Sequence, residues 1–417
     1  MKIAMVIQRY GTEVNGGAEM LALKMAEHIN DKCDITVITT CAKDYDTWKN
    51  EYPKGESKVN GVKVLRFPVK KERNLFWYKQ IDRVRKYSPI FPKFLEELWL
   101  KMQGPYTPEC IEYIKANKDE YDCFIFVTYL YYTSVKGLPV VKEKSIFIPA
   151  AHDEPFLKMK TYKKLFESPA AFWFNAREEE DLVKDKFDVE GICSRVGGMG
   201  IEVPDINDSD KVNPESFCEK YKDRLKNDPY VIYVGRIDYG KNCHKLFDDF
   251  MKIKDGLSVE KPEDTKIAEE LKDLRLVLLG KPMIDIPERN DIVSLGFVSE
   301  KDKYDAMAGA VALILPSEFE SFSIVVLESM ALKVPVIVNG DCAVTSSHCK
   351  KSGAGFTYKD PEELKDKIMT LMSDEELRRQ MGEKGAEYVR ENYRWDVITD
   401  RFMELVRCVA GEGLVKD

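Results

Sequence analysis

Short apolar strands alternate with amphipathic helices along most of this chain, and that alternation constrains the fold more than any other feature. It is the pattern of parallel α/β sheets, whose strands are joined by helical crossovers. In the first half, strands are predicted near 2–8, 34–39, 62–66, 122–128, 145–150 and 171–174, with helices at about 17–29, 75–87, 106–117 and 176–186. A second series opens at Tyr230–Val234 and continues near 274–279, 292–295, 311–315, 335–338 and 355–358. Between the series, Pro204 to Pro229 is polar and poor in strand formers, which places a domain boundary near residue 203. The stretch 361–412 reads as helical throughout, and Val259 to Lys272 reads as a charged surface insertion. The pattern therefore predicts two Rossmann-like domains in the 417 residues, which is enough chain for two full cores.

Composition narrows the function. Hydrophobic residues make up 44% and charged residues 33%, as in an ordinary globular protein. A net charge of −8 argues against general nucleic-acid binding. The ten cysteines form no C-x-x-C pair and no cluster with histidine, so neither a zinc site nor a disulfide framework is indicated. Reduced thiols and a start, MKIAMVIQRYG, too short in apolar residues for a signal peptide predict a cytoplasmic protein. No run approaches the ~18 apolar residues that a spanning helix needs, so at most the protein rests on a membrane's inner face.

Four segments carry chemistry, and each falls at the carboxyl end of a predicted strand, the edge where open α/β sheets bind ligands. In Leu313 to Val338, Glu320 lies in a loop after an apolar strand, and Glu328 lies on the helix that follows. A carboxylate beside a helix amino terminus repels phosphate but suits sugar hydroxyls, although glutamates at helix starts also simply complement the dipole. In Gly235 to Asn242, Arg236 and Lys241 stand five apart at a strand-to-helix turn, a cradle for a diphosphate or merely two solvated cations. Gly16-Gly17-Ala18-Glu19 opens a helix after the first strand and lets backbone approach phosphate; as a bare motif it is ordinary turn chemistry and is not G-x-G-x-x-G. His152, in Ile148 to Pro155, also follows a strand, against a background in which lone histidines are usually structural. Of the other three histidines, His28 is near a helix end, His244 early in a helix, and His348 in a Ser-rich loop.

Taken in order, Pro316-Ser317, Glu320-Ser321-Phe322-Ser323, Leu327-Glu328-Ser329-Met330-Ala331 and Pro335-Val336-Ile337 resemble the E-x7-E signature of retaining glycosyltransferases of family 4, on the two-domain GT-B fold. That family typically has glycine where this chain has Ser321 and Ser323. Gly235-Arg236 through Lys241 resembles the family's Gly-Arg-Leu-x-x-x-Lys-Gly element, with Asn242 in place of the last glycine. The Gly16-Gly17 loop and the His152-Asp153 segment also have family counterparts, and Gly296-Phe297-Val298 resembles the base-contacting turn, though an aromatic there could equally belong to the core.

The resemblance implies a donor of the nucleotide-diphosphate sugar type, UDP- or GDP-linked, with no metal or other cofactor required. It implies catalytic roles for His152, Glu320, Arg236 and Lys241, and donor contacts from Gly16, Gly17, Gly235, Phe297, Phe322, Ser323, Ile324 and Glu328. It implies domains at 1–203 for the acceptor and 204–390 for the donor, converging on one cleft, with a C-terminal helix from 391 packing back on the first. The acceptor would be a saccharide or lipid-linked molecule, in cell-surface polysaccharide or glycoconjugate synthesis. Rival readings are a GT-B nucleotide-sugar epimerase, a non-catalytic binding protein on the same fold, and a two-domain solute-binding protein.

Two further signals are weaker. Asp208-Ser209-Asp210 spells D-x-D, a metal-nucleotide motif of a different fold, and reads here as linker acidity. Residues 63–101 carry eleven Lys/Arg against four acids, interleaved with Phe76, Trp77, Tyr78, Phe91, Phe94 and Trp99. That mixture suits an anionic membrane surface or a phosphorylated acceptor, and equally a solvated helical face with its aromatics in the core.

Overall fold

The computed structural model describes residues 1–87, 93–256 and 271–411; Phe91, most of the predicted 259–272 insertion and the extreme C-terminus lie outside the described residues. The chain divides into two units, Met1–Gly200 with Trp395–Asp417, and Ile201–Arg394.

The first unit is built on eight strands: β1 Lys2–Val6, β2 Asp34–Thr40, β3 Gly55–Val59, β4 Val62–Phe67, β5 Cys123–Val127, β6 Ser145–Ile148, β7 Ala171–Phe174 and β8 Cys193–Val196. Their order is β3-β4-β2-β1-β5-β6-β7-β8, parallel except for the antiparallel β3–β4 pair. β5, Cys-Phe-Ile-Phe-Val, is buried at every position, as a central parallel strand must be. Phe124, Phe126, Phe147, Phe166, Phe172 and Phe174 are all under 2% exposed and form one core. Cutting such a ring to alanine typically costs about 3–5 kcal/mol.

The sequence did not predict β3 or β8, and both are edge strands. β3 alternates between exposed and half-buried residues and has no apolar run. β8 is half-buried along its length.

The 361–412 stretch, read as one helical region, is three helices: Pro361–Ser373, Glu375–Asn392 and Trp395–Val409. Asp374 interrupts the first join, where its side chain accepts the Leu377 N–H (2.8 Å) and caps the second helix. The last helix belongs to the first unit and buries the stripe Trp395, Ile398, Phe402 and Leu405. Trp395 stacks on His28 with ring centroids 4.1 Å apart, and Phe402 meets Trp173 edge-on at 5.0 Å.

In the second unit, β9 Tyr230–Val234, β10 Arg275–Leu279, β11 Ile292–Gly296, β12 Ala312–Leu315, β13 Val336–Asn339 and β14 Gly355–Tyr358 run parallel in the order β11-β10-β9-β12-β13-β14. From β9 the chain winds outward through β10 and β11, then returns to β12 on the other side of β9. The order thus reverses between β9 and β12, and ligands of such sheets bind outside that reversal point. The polar segment after the boundary is not all linker, since Pro214–Lys220 and Lys222–Leu225 are short helices and Phe217 is buried against Tyr230.

Candidate active site

The β9 and β12 loops carry both predicted clusters of the second unit, and both leave the sheet at its reversal point. Side chains tie the two loops together. Lys241 Nζ lies 2.7 Å from Glu320 Oε1, with side chains 26% and 11% exposed. Lys245 pairs with Glu318 at 2.6 Å, which holds the Glu318 carboxyl below its ordinary range. The Pro316 carbonyl accepts from the amides of Asn339 (2.9 Å) and Asn242 (3.3 Å). Arg236 stands at the rim, its guanidinium 3.5 Å from Asp238. Asp238 in turn accepts the Lys241 backbone N–H at 2.8 Å and so shapes the Arg236-to-Lys241 turn.

Backbone constraints explain the glycines here. Gly235 (φ +150°) follows β9, and a Cβ on the neighbouring Gly280 would lie 1.8 Å from the Gly235 carbonyl oxygen. Two positions where the family has glycine keep left-handed backbone in this chain, Asn242 (φ +56°) and Ser323 (φ +63°). Asn242 tolerates that conformation and uses its amide to hold Pro316. Ser323 has no such return: its hydroxyl is buried without a hydrogen-bond partner among the described residues, and it makes no side-chain cap on the helix it precedes.

That helix, Ile324–Ala331, therefore starts with no side-chain acceptor from its cap residue. Uncapped N–H groups and the helix dipole together favour an anion. Phe322, Ser323 and Ile324 stand at this start, with the Phe322 ring buried.

Glu328 is held apart from Glu320. Its Oε1 accepts from Lys303 Nζ (2.9 Å) and from the Tyr304 hydroxyl (3.2 Å), on the helix Glu300–Ala308 after β11. Burial, and then the Glu328 charge, push the Tyr304 phenol well up, so it stays a donor. Phe297 is 76% exposed, which removes it from the core. The exposed large hydrophobics described in this unit are Tyr239, Met283, Phe297 and Phe319, and they follow β9, β10, β11 and β12 respectively.

In the first unit, β1 leads through Gly16 (φ +150°) into the helix Gly17–Ile29. A Cβ on Gly16 would lie 2.1 Å from the Glu19 carboxylate, whereas Gly17 has nothing within 4 Å of that position. Glu19 is buried and accepts from Arg9 (2.6 Å) and Gln8 (2.9 Å), while Thr128 after β5 donates to Gln8 (2.8 Å). Sequence reasoning missed this staple, whose Gln8 and Arg9 follow an apolar strand without any pattern of their own.

His152 follows β6 and is 33% exposed, with Nε2 3.6 Å from Glu154 Oε1; the Tyr129 hydroxyl donates to that same carboxylate oxygen. Glu179 is fully buried and accepts the backbone N–H groups of Ala151 (2.6 Å), next to His152, and Asn175 (2.7 Å). Burial pushes the Glu179 carboxyl up to about 8, against the pull of those two donors.

One sequence expectation changes, and the reading of the D-x-D run as linker acidity stands. His348 is not in a loop; it is buried in the helix Ala343–Ser352, where it touches the Phe322 carbonyl. Asp208 of the D-x-D run pairs with Lys211 at 3.1 Å and accepts the Asp210 N–H, which is local turn chemistry.

Comparison with solved structures gives the fold. Sucrose-phosphate synthase from Thermosynechococcus elongatus superposes with a TM-score of 0.68 at 14% identity, over 99% of this chain and 100% of that one. Anabaena HepE in complex with UDP and glucose gives 0.66 at 16%, over 98% and 100%. The fold is GT-B, with two parallel-sheet α/β units. Residues 219–388, most of the second unit, match the model of the family described as glycosyl transferases group 1. Among curated relatives, sulfoquinovosyl transferase SQD2 of Arabidopsis thaliana is 26% identical over 211 residues, 46% of this chain and 37% of that protein. The match to the first three such relatives spans 37%, 54% and 42% of their lengths.

Proposed function

We propose that the protein is a retaining glycosyltransferase that moves a sugar from a nucleotide-diphosphate donor to a saccharide or lipid-linked acceptor. The observation that carries this reading is the pairing of the β9 and β12 loops, with two cations, two carboxylates and an uncapped helix start at one reversal point. Arg236 and Lys241 take the charge that develops on the leaving diphosphate, the largest electrostatic contribution to such a reaction. The N–H groups of Phe322, Ser323 and Ile324 bind phosphate and sugar oxygens. Glu320 holds hydroxyls of the donor sugar, Glu328 those of the ribose, and Phe297 the base. From the first unit, His152 serves the donor sugar and the Gly16-Gly17 loop the diphosphate.

The bond from the anomeric carbon to the phosphate oxygen breaks as the acceptor oxygen bonds to that carbon on the same face. The acceptor's proton passes to the leaving diphosphate. Neither a metal nor any other cofactor takes part.

The acceptor side is read from Leu75–Tyr87 and Lys93–Gln103. Six of the eleven exposed large hydrophobics described lie on these two helices: Leu75, Phe76, Trp77, Val84, Phe94 and Leu98. Lys79, Arg83 and Lys101 are exposed beside them. An apolar and basic face of this kind fits the inner, anionic surface of a cytoplasmic membrane, where a lipid-linked acceptor of cell-surface glycoconjugate synthesis would be met. Among the described residues no helix is long and apolar enough to cross a membrane.

A screen of nucleotide sugars, reading released nucleotide with and without acceptors, tests the reading. Release only with an acceptor supports transfer, rearrangement of donor alone points to an epimerase, and no binding of UDP, GDP or ADP at millimolar concentration points to a non-catalytic protein.

A further inference from the structure

We propose that His348 is a positioning residue that sets the donor-binding loop by gripping one peptide plane, an inference that rests on reading the Glu320–Ile324 segment as the donor site. His348 is 4% exposed and stands among the rings of Phe322, Tyr388 and Tyr393, with centroids 6.2, 6.1 and 6.0 Å from its own. Its Nε2 lies 3.1 Å from the Phe322 carbonyl oxygen and its Nδ1 3.1 Å from the Tyr388 hydroxyl, which is 3.3 Å from the Tyr393 hydroxyl.

A carbonyl only accepts, so Nε2 carries a proton, and in the neutral imidazole Nδ1 then accepts from Tyr388. Tyr393 can then donate to Tyr388, and the protons of the chain all run one way toward the loop. The grip acts on the loop through one rigid unit. The Phe322–Ser323 peptide is trans, so its C=O and N–H point in opposite directions. A carbonyl turned toward His348 therefore turns the Ser323 N–H away from it.

The same bond accounts for how Ser323 stays in a left-handed conformation, at φ +63°, that serine does not favour. The buried, unpartnered Ser323 hydroxyl is a second sign that this loop is held in shape for something other than its own stability.

The test pairs His348→Val, which removes the donor, with His348→Gln, whose amide N–H can still reach the carbonyl, and with Tyr388→Phe. The first readout is the long-range ¹H–¹⁵N spectrum of the ¹⁵N-histidine-labelled full chain, with His348 assigned by its loss in His348→Gln. A proton on Nε2 supports the grip, and one on Nδ1 overturns it.

The second readout is calorimetric affinity for UDP, GDP and ADP, with thermal melting to confirm folding. His348→Val weakens binding of the preferred nucleotide by about tenfold or more and His348→Gln restores most of it. A His348→Val protein that melts earlier but binds within about twofold of wild type overturns the proposal. Should His348→Val not fold, His348→Gln and Tyr388→Phe carry the affinity test, with near-wild-type binding expected for the first and weaker binding for the second. If wild type binds none of the three nucleotides, the donor-site reading fails, and the tautomer alone decides the grip.

Discussion

Lys241 and Glu320, 79 residues apart in sequence, meet at 2.7 Å where the sheet of the second unit reverses its winding. Each was assigned on its own to a different part of a donor, the cation to the diphosphate and the carboxylate to sugar hydroxyls. On the proposed reading their pairing joins those tasks: the Lys241 charge offsets that of Glu320, which would let a carboxylate stand beside phosphate. Lys241→Ala and Arg236→Ala should each lower turnover of the true donor by about 10²–10³ while leaving the fold intact. Because Lys241 and Glu320 act as a pair, the loss in Lys241→Ala/Glu320→Gln should fall short of the sum of the two single losses, read as kcat/KM in a double-mutant cycle.

Ser323 and Asn242 share a backbone conformation but not a side-chain role, so glycine should affect them oppositely. Ser323→Gly relieves a left-handed serine and a buried hydroxyl without a partner, and should raise stability by about 1 kcal/mol in urea unfolding. Asn242→Gly relieves the backbone too but removes an amide from the Pro316 carbonyl, so it should be neutral or destabilising by about 1 kcal/mol. Equal gains at both sites would contradict the roles drawn from the geometry.

Glu179 should give the first unit a pH dependence of known sign. Its folded carboxyl is raised from 4.5 to about 8, so the folded state binds the proton more tightly than the unfolded chain does. The stabilisation from that proton is full below about pH 4.5 and is lost as pH rises through about 8. Between pH 5 and 8, wild type should lose stability relative to Glu179→Gln, on the order of several kcal/mol. A difference between the two proteins that stays flat with pH would contradict the assignment.

The exposed face of Leu75–Tyr87 and Lys93–Gln103 should direct binding to anionic vesicles. Phe76→Ser, Trp77→Ser and Phe94→Ser combined should abolish co-flotation with phosphatidylglycerol vesicles, with thermal stability little changed because all three side chains are exposed. Wild type should bind neutral vesicles poorly, and salt should weaken its binding to anionic ones.

Strands and motifs with a local signature were legible in the sequence. β1, β5, β6, β9, β10 and β12 are largely buried apolar runs, and the clusters at Glu320, Arg236, Gly16 and His152 stand out because they follow such runs. What was not legible depends on contacts without local pattern. β3 is a polar edge strand fixed only by its partner β4. The grip of His348 on Phe322 spans 26 residues and its contact with Tyr388 spans 40, so neither has a sequence period to reveal it. The left-handed backbone at Ser323 was hidden for another reason, since serine gives no sign of it and only the comparison with glycine at that place raised the question.

The most direct measurement is nucleotide release from a panel of UDP-, GDP- and ADP-linked sugars by wild type and by Lys241→Ala, each with candidate acceptors. The account predicts release from one donor class, dependent on acceptor, and lower by about 10²–10³ in the variant. Release from no donor, or equal release by the two proteins, would contradict it.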